Sequence, residues 1–166
     1  MTPRLTVLAI VAVLALGAAT IASANPGHNP VAPLSPAQEV PPVEDSNGTG
    51  VAKFKLNKAG DELAFKLIVA NIDDVTQAHI HCGPAGANGS VVAFLFGFAD
   101  PAVNVNGPLA QGVLTNADVI ARPDSDVCPG GVADFDDLIQ QISEGNAYVN
   151  VHTIDNPGGE IRGQIK

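Results

Sequence analysis

Of the four histidines in this 166-residue chain, three fall in two short segments. His79 and His81 form an H-x-H pair in Thr76-Gln77-Ala78-His79-Ile80-His81-Cys82-Gly83, and His152 closes the run Ala147-Tyr148-Val149-Asn150-Val151-His152. On a strand, residues two apart project from the same side. His79 and His81 can therefore address one ion together. A third imidazole from another strand would complete a transition-metal site with an open position. Imidazole suits copper and zinc alike. Three neutral nitrogen ligands in an exported setting favour copper, with zinc second. Each ligand must be neutral, so protonation near pH 6 is expected to release the ion. The plainer alternative makes the three rings ordinary surface residues, or hydrogen-bonding groups that pin loops.

Alternation assigns the faces. Ala78, Ile80 and Cys82 share an apolar side, and Gln77, His79 and His81 a polar one. In the later run Val149 and Val151 oppose Tyr148, Asn150 and His152. With the aliphatic sets toward the core, all three histidines lie on outer faces. If the two strands are neighbours, they form a shallow external patch that loops could cover.

The strands that carry them belong to a chain with an export signature. Arg4, the aliphatic run from Leu5 to Ala19 and the A-x-A of Ala22-Ser23-Ala24 read as a secretory signal peptide over residues 1–24. No other stretch is long and apolar enough to cross a bilayer. The expected product is exported, periplasmic or extracellular. Loss of Arg4 would take the net charge from −9 to −10. That balance argues against nucleic acid or anionic lipid as a partner. The two cysteines, Cys82 and Cys128, suggest a disulfide in an oxidising compartment. A thiolate ligand or nucleophile is the competing role, but alternation turns Cys82 away from His79 and His81.

Residues 25–36, rich in Pro, Gly and Asn, read as a flexible leader that includes His28; residues 37–166 read as one β domain. Ala37–Val40, Gly50–Leu56, Glu62–Val69, Val75–His81 and Ser90–Phe96 have strand character, with turns at residues 57–61 and 83–89. Val103–Val105 and Leu109–Leu114 are weaker strand candidates. Thr115 with Asp118 resembles a capping box. Phe135–Ile142 has helical spacing, with Asp134 as cap and Gly145 as stop. Tyr148–His152 and Glu160–Ile165 form a last hairpin. The expectation is an all-β, immunoglobulin-like or Greek-key antiparallel sandwich with one short helix. The acidic stretch from Asp124 to Asp137 lacks the ordered spacing of a calcium loop, and the glycine-rich segment 83–89 lacks the lysine of a phosphate loop.

Several motifs together resemble the CHRD domain, a module of chordin and of many bacterial exported proteins. They are Ala37-Gln38-Glu39-Val40-Pro41-Pro42, Ala78-His79-Ile80-His81 with its glycine-rich loop, Tyr148-Val149-Asn150-Val151-His152-Thr153, and Pro157-Gly158-Gly159-Glu160-Ile161-Arg162-Gly163-Gln164-Ile165. The resemblance implies an immunoglobulin-like sandwich and leaves the activity open. More distantly, the histidine pattern is similar to that of copper–zinc superoxide dismutases, which pair an H-x-H on one strand with a later histidine on another. The bridging histidine and the zinc cluster of those enzymes have no counterpart here. The similarity implies at most a copper-only, three-histidine site acting on superoxide. In that case Arg162 is the candidate for steering the anion; its plainer role is an ion pair with a strand-face carboxylate such as Glu160. Two functions remain: an exported metalloprotein with superoxide dismutase-like redox activity, and a non-catalytic extracellular interaction module with structural histidines.

Overall fold

The computed structural model describes residues 29–166. The expected signal segment and His28 lie outside the described residues. The strands are β1 (Val31–Leu34), β2 (Thr49–Leu56), β3 (Leu63–Ala70), β4 (Val75–Cys82), β5 (Ser90–Phe96), β6 (Gly107–Leu114), β7 (Ala147–Thr153) and β8 (Ile161–Gln164), with helix α1 (Phe135–Ser143) before β7. They build two antiparallel four-stranded sheets, ordered β1-β2-β3-β6 and β5-β4-β7-β8. The all-β sandwich with one short α-helix is therefore present. Along one side the sheets are stitched together. Ser35 and Arg162 exchange backbone hydrogen bonds of 3.0 and 3.2 Å, and Val31 and Lys166 exchange bonds of 2.8 and 3.1 Å. This pairing covers the outer backbone edge of β8, which would otherwise invite another strand.

Alternation decides which residues fill the sandwich. Ala78, Ile80 and Cys82 of β4 and Val149 and Val151 of β7 are buried in one core with Ala52 and Phe54 of β2 and Leu67 and Val69 of β3. The intervening residues of β4 and β7 face outward. The disulfide joins Cys82 to Cys128, 46 residues on, and both sulfurs belong to the core. It ties β4 to the segment that leads into α1. That helix buries Phe135, Leu138 and Ile142, as its apolar spacing requires. Asp134 caps it by accepting a 3.1 Å bond from the Asp137 amide. Gly145, at φ 72°, ends it in the left-handed region.

Three expectations change. Residues 31–34 are not leader: they form β1, with Val31 opposite Lys53 and Leu34 opposite Gly50. Ala32 and Leu34 supply the buried side chains, a signal that Pro33 between them masks. Ala37–Val40 is not a strand; Pro36–Gln38 forms a 3-10 turn. Proline at the first position of a turn loses no needed N–H. Thr115 and Asp118 do form a capping box, but the helix it starts is one 3-10 turn, Asn116–Asp118. Among the described residues no helix is long and apolar enough to cross a membrane.

Candidate metal centre

The sheet order places β4 against β7, so the H-x-H pair and the third histidine are on neighbouring strands. His79 stands opposite Asn150, His81 opposite Tyr148, and Gln77 opposite His152. His152 is thus the diagonal neighbour of His79, within reach on the same face. One nitrogen from each of His79, His81 and His152 lies within 4.8 Å of the others. The three residues share the outer face of the sheet, but they are not exposed: 4, 8 and 6% of their surface remains accessible. A shallow open patch is therefore replaced by a covered one.

Two loops make the cover, and each takes a ring N–H. His81 Nδ1 lies 2.9 Å from the Gly89 carbonyl, and His152 Nδ1 lies 3.0 Å from the Pro157 carbonyl. A carbonyl only accepts, so each Nδ1 carries the hydrogen and each neutral ring keeps a bare Nε2. Backbone carbonyls orient metal-binding histidines in this same way. Gly89 can come so close because it has no side chain: a Cβ there would run into the Cys82 carbonyl. His79 Nδ1 lies 3.1 Å from His152 Nε2. Two ligands about 2.1 Å from one ion stand roughly 3.4 Å apart in tetrahedral geometry, so this spacing suits a shared ion as well as a hydrogen bond. His79 Nε2 and His81 Nε2 are buried without any hydrogen-bond partner. An orphaned acceptor costs about 1–3 kcal/mol. A bound cation would satisfy His81 Nε2, while His79 would meet the same ion through Nδ1, beside His152 Nε2, and keep its hydrogen on Nε2.

The surroundings keep the rings neutral. Burial, reinforced by His152 and His81, pushes His79 from 6.5 down to about 3. Burial pushes His81 from 6.5 to about 4 against the opposing bond to Gly89, and it lowers His152 as well. The rings thus stay competent to ligate well below pH 6, and the expected release point moves down with them. Phe94 packs edge-on to His79, with ring centres 4.4 Å apart, and is 46% exposed. It forms one wall between the cluster and solvent.

Arg162 occupies neither of its expected roles. It is 1% exposed, and it donates to Asn88 Oδ1 at 3.1 Å, Pro84 O at 3.0 Å and Ala87 O at 2.8 Å. Its guanidinium lies over the Tyr148 ring, 3.4 Å from the centroid. Its donors are taken up by the loop, and little of its surface is left for an anion arriving from solvent. Glu160 is engaged elsewhere, with Ser46, Thr153 and Asn156. Arg162 instead clamps the 83–89 loop over His81. Cys82 points into the core and is bonded to Cys128, which removes it as a thiolate ligand.

Residues not singled out in the sequence complete the site. Tyr148 stacks on His81 with ring centres 4.8 Å apart and planes 12° from parallel, and its hydroxyl accepts a 3.1 Å bond from the Gly89 amide. Asn150 Oδ1 lies 3.0 Å from His152 Nε2. Both share the His152 side of β7, so alternation could have named them. Glu39, buried beside Arg162, is pushed up by burial from 4.5 to about 7, with Arg162 opposing the shift.

The family model of the CHRD domain matches residues 31–165, which is nearly all of the described chain. No curated protein matches the chain, and neither does any solved structure.

Proposed function

The chain belongs to the CHRD domain family, and we propose that it is an exported β-sandwich protein whose His79, His81 and His152 hold one transition-metal ion. The observation that carries this reading is the convergence of nitrogens from three buried histidines within 4.8 Å, with His81 Nε2 buried and without a partner. Buried polar atoms almost always have partners, and an orphaned imidazole nitrogen on His81 beside two further imidazoles calls for a cation. Export is supported by the signal-like segment and by the disulfide, which persists in oxidising compartments. Copper remains the favoured ion and zinc the second.

Bound copper would supply one-electron exchange, the chemistry that superoxide dismutation needs. This chain's residues orient the rings through Gly89 and Pro157 and exclude water from them. They do little to draw in an anion, since Arg162 is buried and the net charge is −9. Metal binding is thus the stronger half of the proposal, and dismutation is the reaction to assay. The same two carbonyl bonds favour a second reading, in which His81 and His152 only pin loops on a non-catalytic extracellular module.

Loading with copper or zinc separates the two. The wild type should take up one equivalent, and a His79→Ala/His81→Ala variant should take up none. Equal uptake by both, or none by either, rejects the metal site. Tight copper binding without dismutase activity would leave a copper store or carrier.

A further inference from the structure

The geometry points to Asn150 as a fourth ligand of this site, binding through its carboxamide oxygen. The inference rests on the metal reading above and goes beyond it in naming a residue and a ligand set.

One contact of His152 lacks a proton. His152 Nδ1 faces the Pro157 carbonyl, and His152 Nε2 faces Asn150 Oδ1, at 3.0 Å in each case. A neutral imidazole has one N–H for these two oxygens. Whichever oxygen receives it, the other contact sets two acceptors against each other. With the hydrogen on Nδ1, both Nε2 and Oδ1 turn their lone pairs to one place. A cation there satisfies both: 3.0 Å corresponds to an angle of about 90° on an ion about 2.1 Å from each, somewhat closer than the roughly 3.4 Å of a tetrahedral pair. His79 Nδ1, 3.1 Å from the same Nε2, approaches that place too.

The amide oxygen is the end turned to the rings, 3.0 Å from His152 Nε2, and the amide nitrogen lies on the Gly159 side, 2.8 Å from where a Cβ on that glycine would stand. Asn150 is 3% exposed, so water does not compete for the position.

The resulting set is three imidazoles and one neutral oxygen, with no sulfur. Such a set suits a divalent ion, Zn²⁺ or Cu²⁺, and offers little to Cu⁺, which prefers thiolate or thioether ligands. With four protein ligands the site is closed, as structural metal sites are. A substrate reaching the ion must displace the Asn150 oxygen.

Asn150→Leu keeps the approximate shape and removes the oxygen. Competition titration with Zn²⁺ and Cu²⁺ should show a loss of at least about tenfold in affinity relative to wild type. If the amide merely donates a hydrogen bond to His152 Nε2, the metal must displace it, and Asn150→Leu would bind as tightly as wild type or tighter. That result overturns the proposal while leaving the three-histidine site intact. No metal uptake by wild type overturns both. Because Asn150→Leu could fail to fold, a second readout uses the unaltered protein. In an NMR titration with Zn²⁺, the Asn150 side-chain ¹⁵N and amide-proton resonances should shift in step with the ligand rings. Resonances that stay in place overturn the fourth ligand.

Discussion

The Arg162 guanidinium lies 3.4 Å from the centre of the Tyr148 ring, and neither residue is more than 2% exposed. Tyr148 in turn lies flat against His81. One column thus runs from a buried cation to an imidazole of the cluster. The same cation holds Pro84, Ala87 and Asn88, in the loop whose Gly89 carbonyl receives the His81 N–H. Ring and lid are set by one side chain.

Arg162→Lys should therefore act through the loop. A lysine ammonium cannot reproduce the planar fork that reaches three oxygens and stacks on an aromatic ring. Each bond to the charged fork that is lost costs about 1.5–3 kcal/mol at most, less where water can replace the donor. The melting temperature should fall by roughly 5 °C or more, and amide exchange at Asn88 and Gly89 should quicken. Wild-type melting together with wild-type loop protection would contradict the clamp.

Acidification should destabilise the metal-free protein. Burial holds His79 at about 3 and His81 at about 4, against 6.5 when unfolded. Below about pH 6.5 the unfolded chain takes up protons that the folded chain refuses, so stability is lost as pH falls from there toward 4. Glu39 works in the opposite direction. Its folded value of about 7, against 4.5, imposes a cost at neutral pH that is relieved on acidification. Glu39→Gln should therefore melt higher than wild type at pH 7.5 and lose more between pH 7 and 5. A flat profile for the chelator-treated Glu39→Gln variant over that interval would refute the assignment.

Metal retention should follow the same depressed values. Protons compete for folded His79 and His81 only near pH 4 and below, and burial lowers His152 too, so the loaded protein should keep its ion at a pH below the ordinary imidazole range, through dialysis at about pH 5.5, and release it on further acidification. Release centred near pH 6, the ordinary range for imidazole, would mean that the rings are not buried as described.

The disulfide should matter for stability and not for ligation. Cys82 follows His81 directly but faces the core, on the other side of the sheet. Opening a 46-residue link costs about 4 kcal/mol in the chain-entropy model. Cys82→Ala/Cys128→Ala should melt well below wild type, yet bind metal with unchanged stoichiometry at temperatures where it is folded. Loss of metal from the folded variant would place sulfur in the site.

What could be read in advance was sidedness. The alternation of Val149 and Val151 against Tyr148, Asn150 and His152 assigns the outer face of β7, and Ala78, Ile80 and Cys82 do the same for β4. Neighbourhood could not be read, because the pairing of β4 with β7 comes from long-range packing and not from any local signal. Burial was hidden for the same reason: the covers over His81 and His152 are the carbonyls of Gly89 and Pro157, backbone groups that carry no sequence mark. Arg162 misled because a strand position names a face and not a partner. Its side chain is long enough to reach the 83–89 loop, where three oxygens outcompete the carboxylate two residues away. β1 was missed because Pro33 broke a pattern that Ala32 and Leu34 otherwise carry.

The central claim is that the three imidazoles hold an ion. Elemental analysis of the protein, prepared without chelator and then loaded with copper or zinc and dialysed, tests it most directly. One metal ion per chain is expected, abolished by His79→Ala/His81→Ala. A loaded wild type with no metal, or with metal that survives both substitutions, would contradict it.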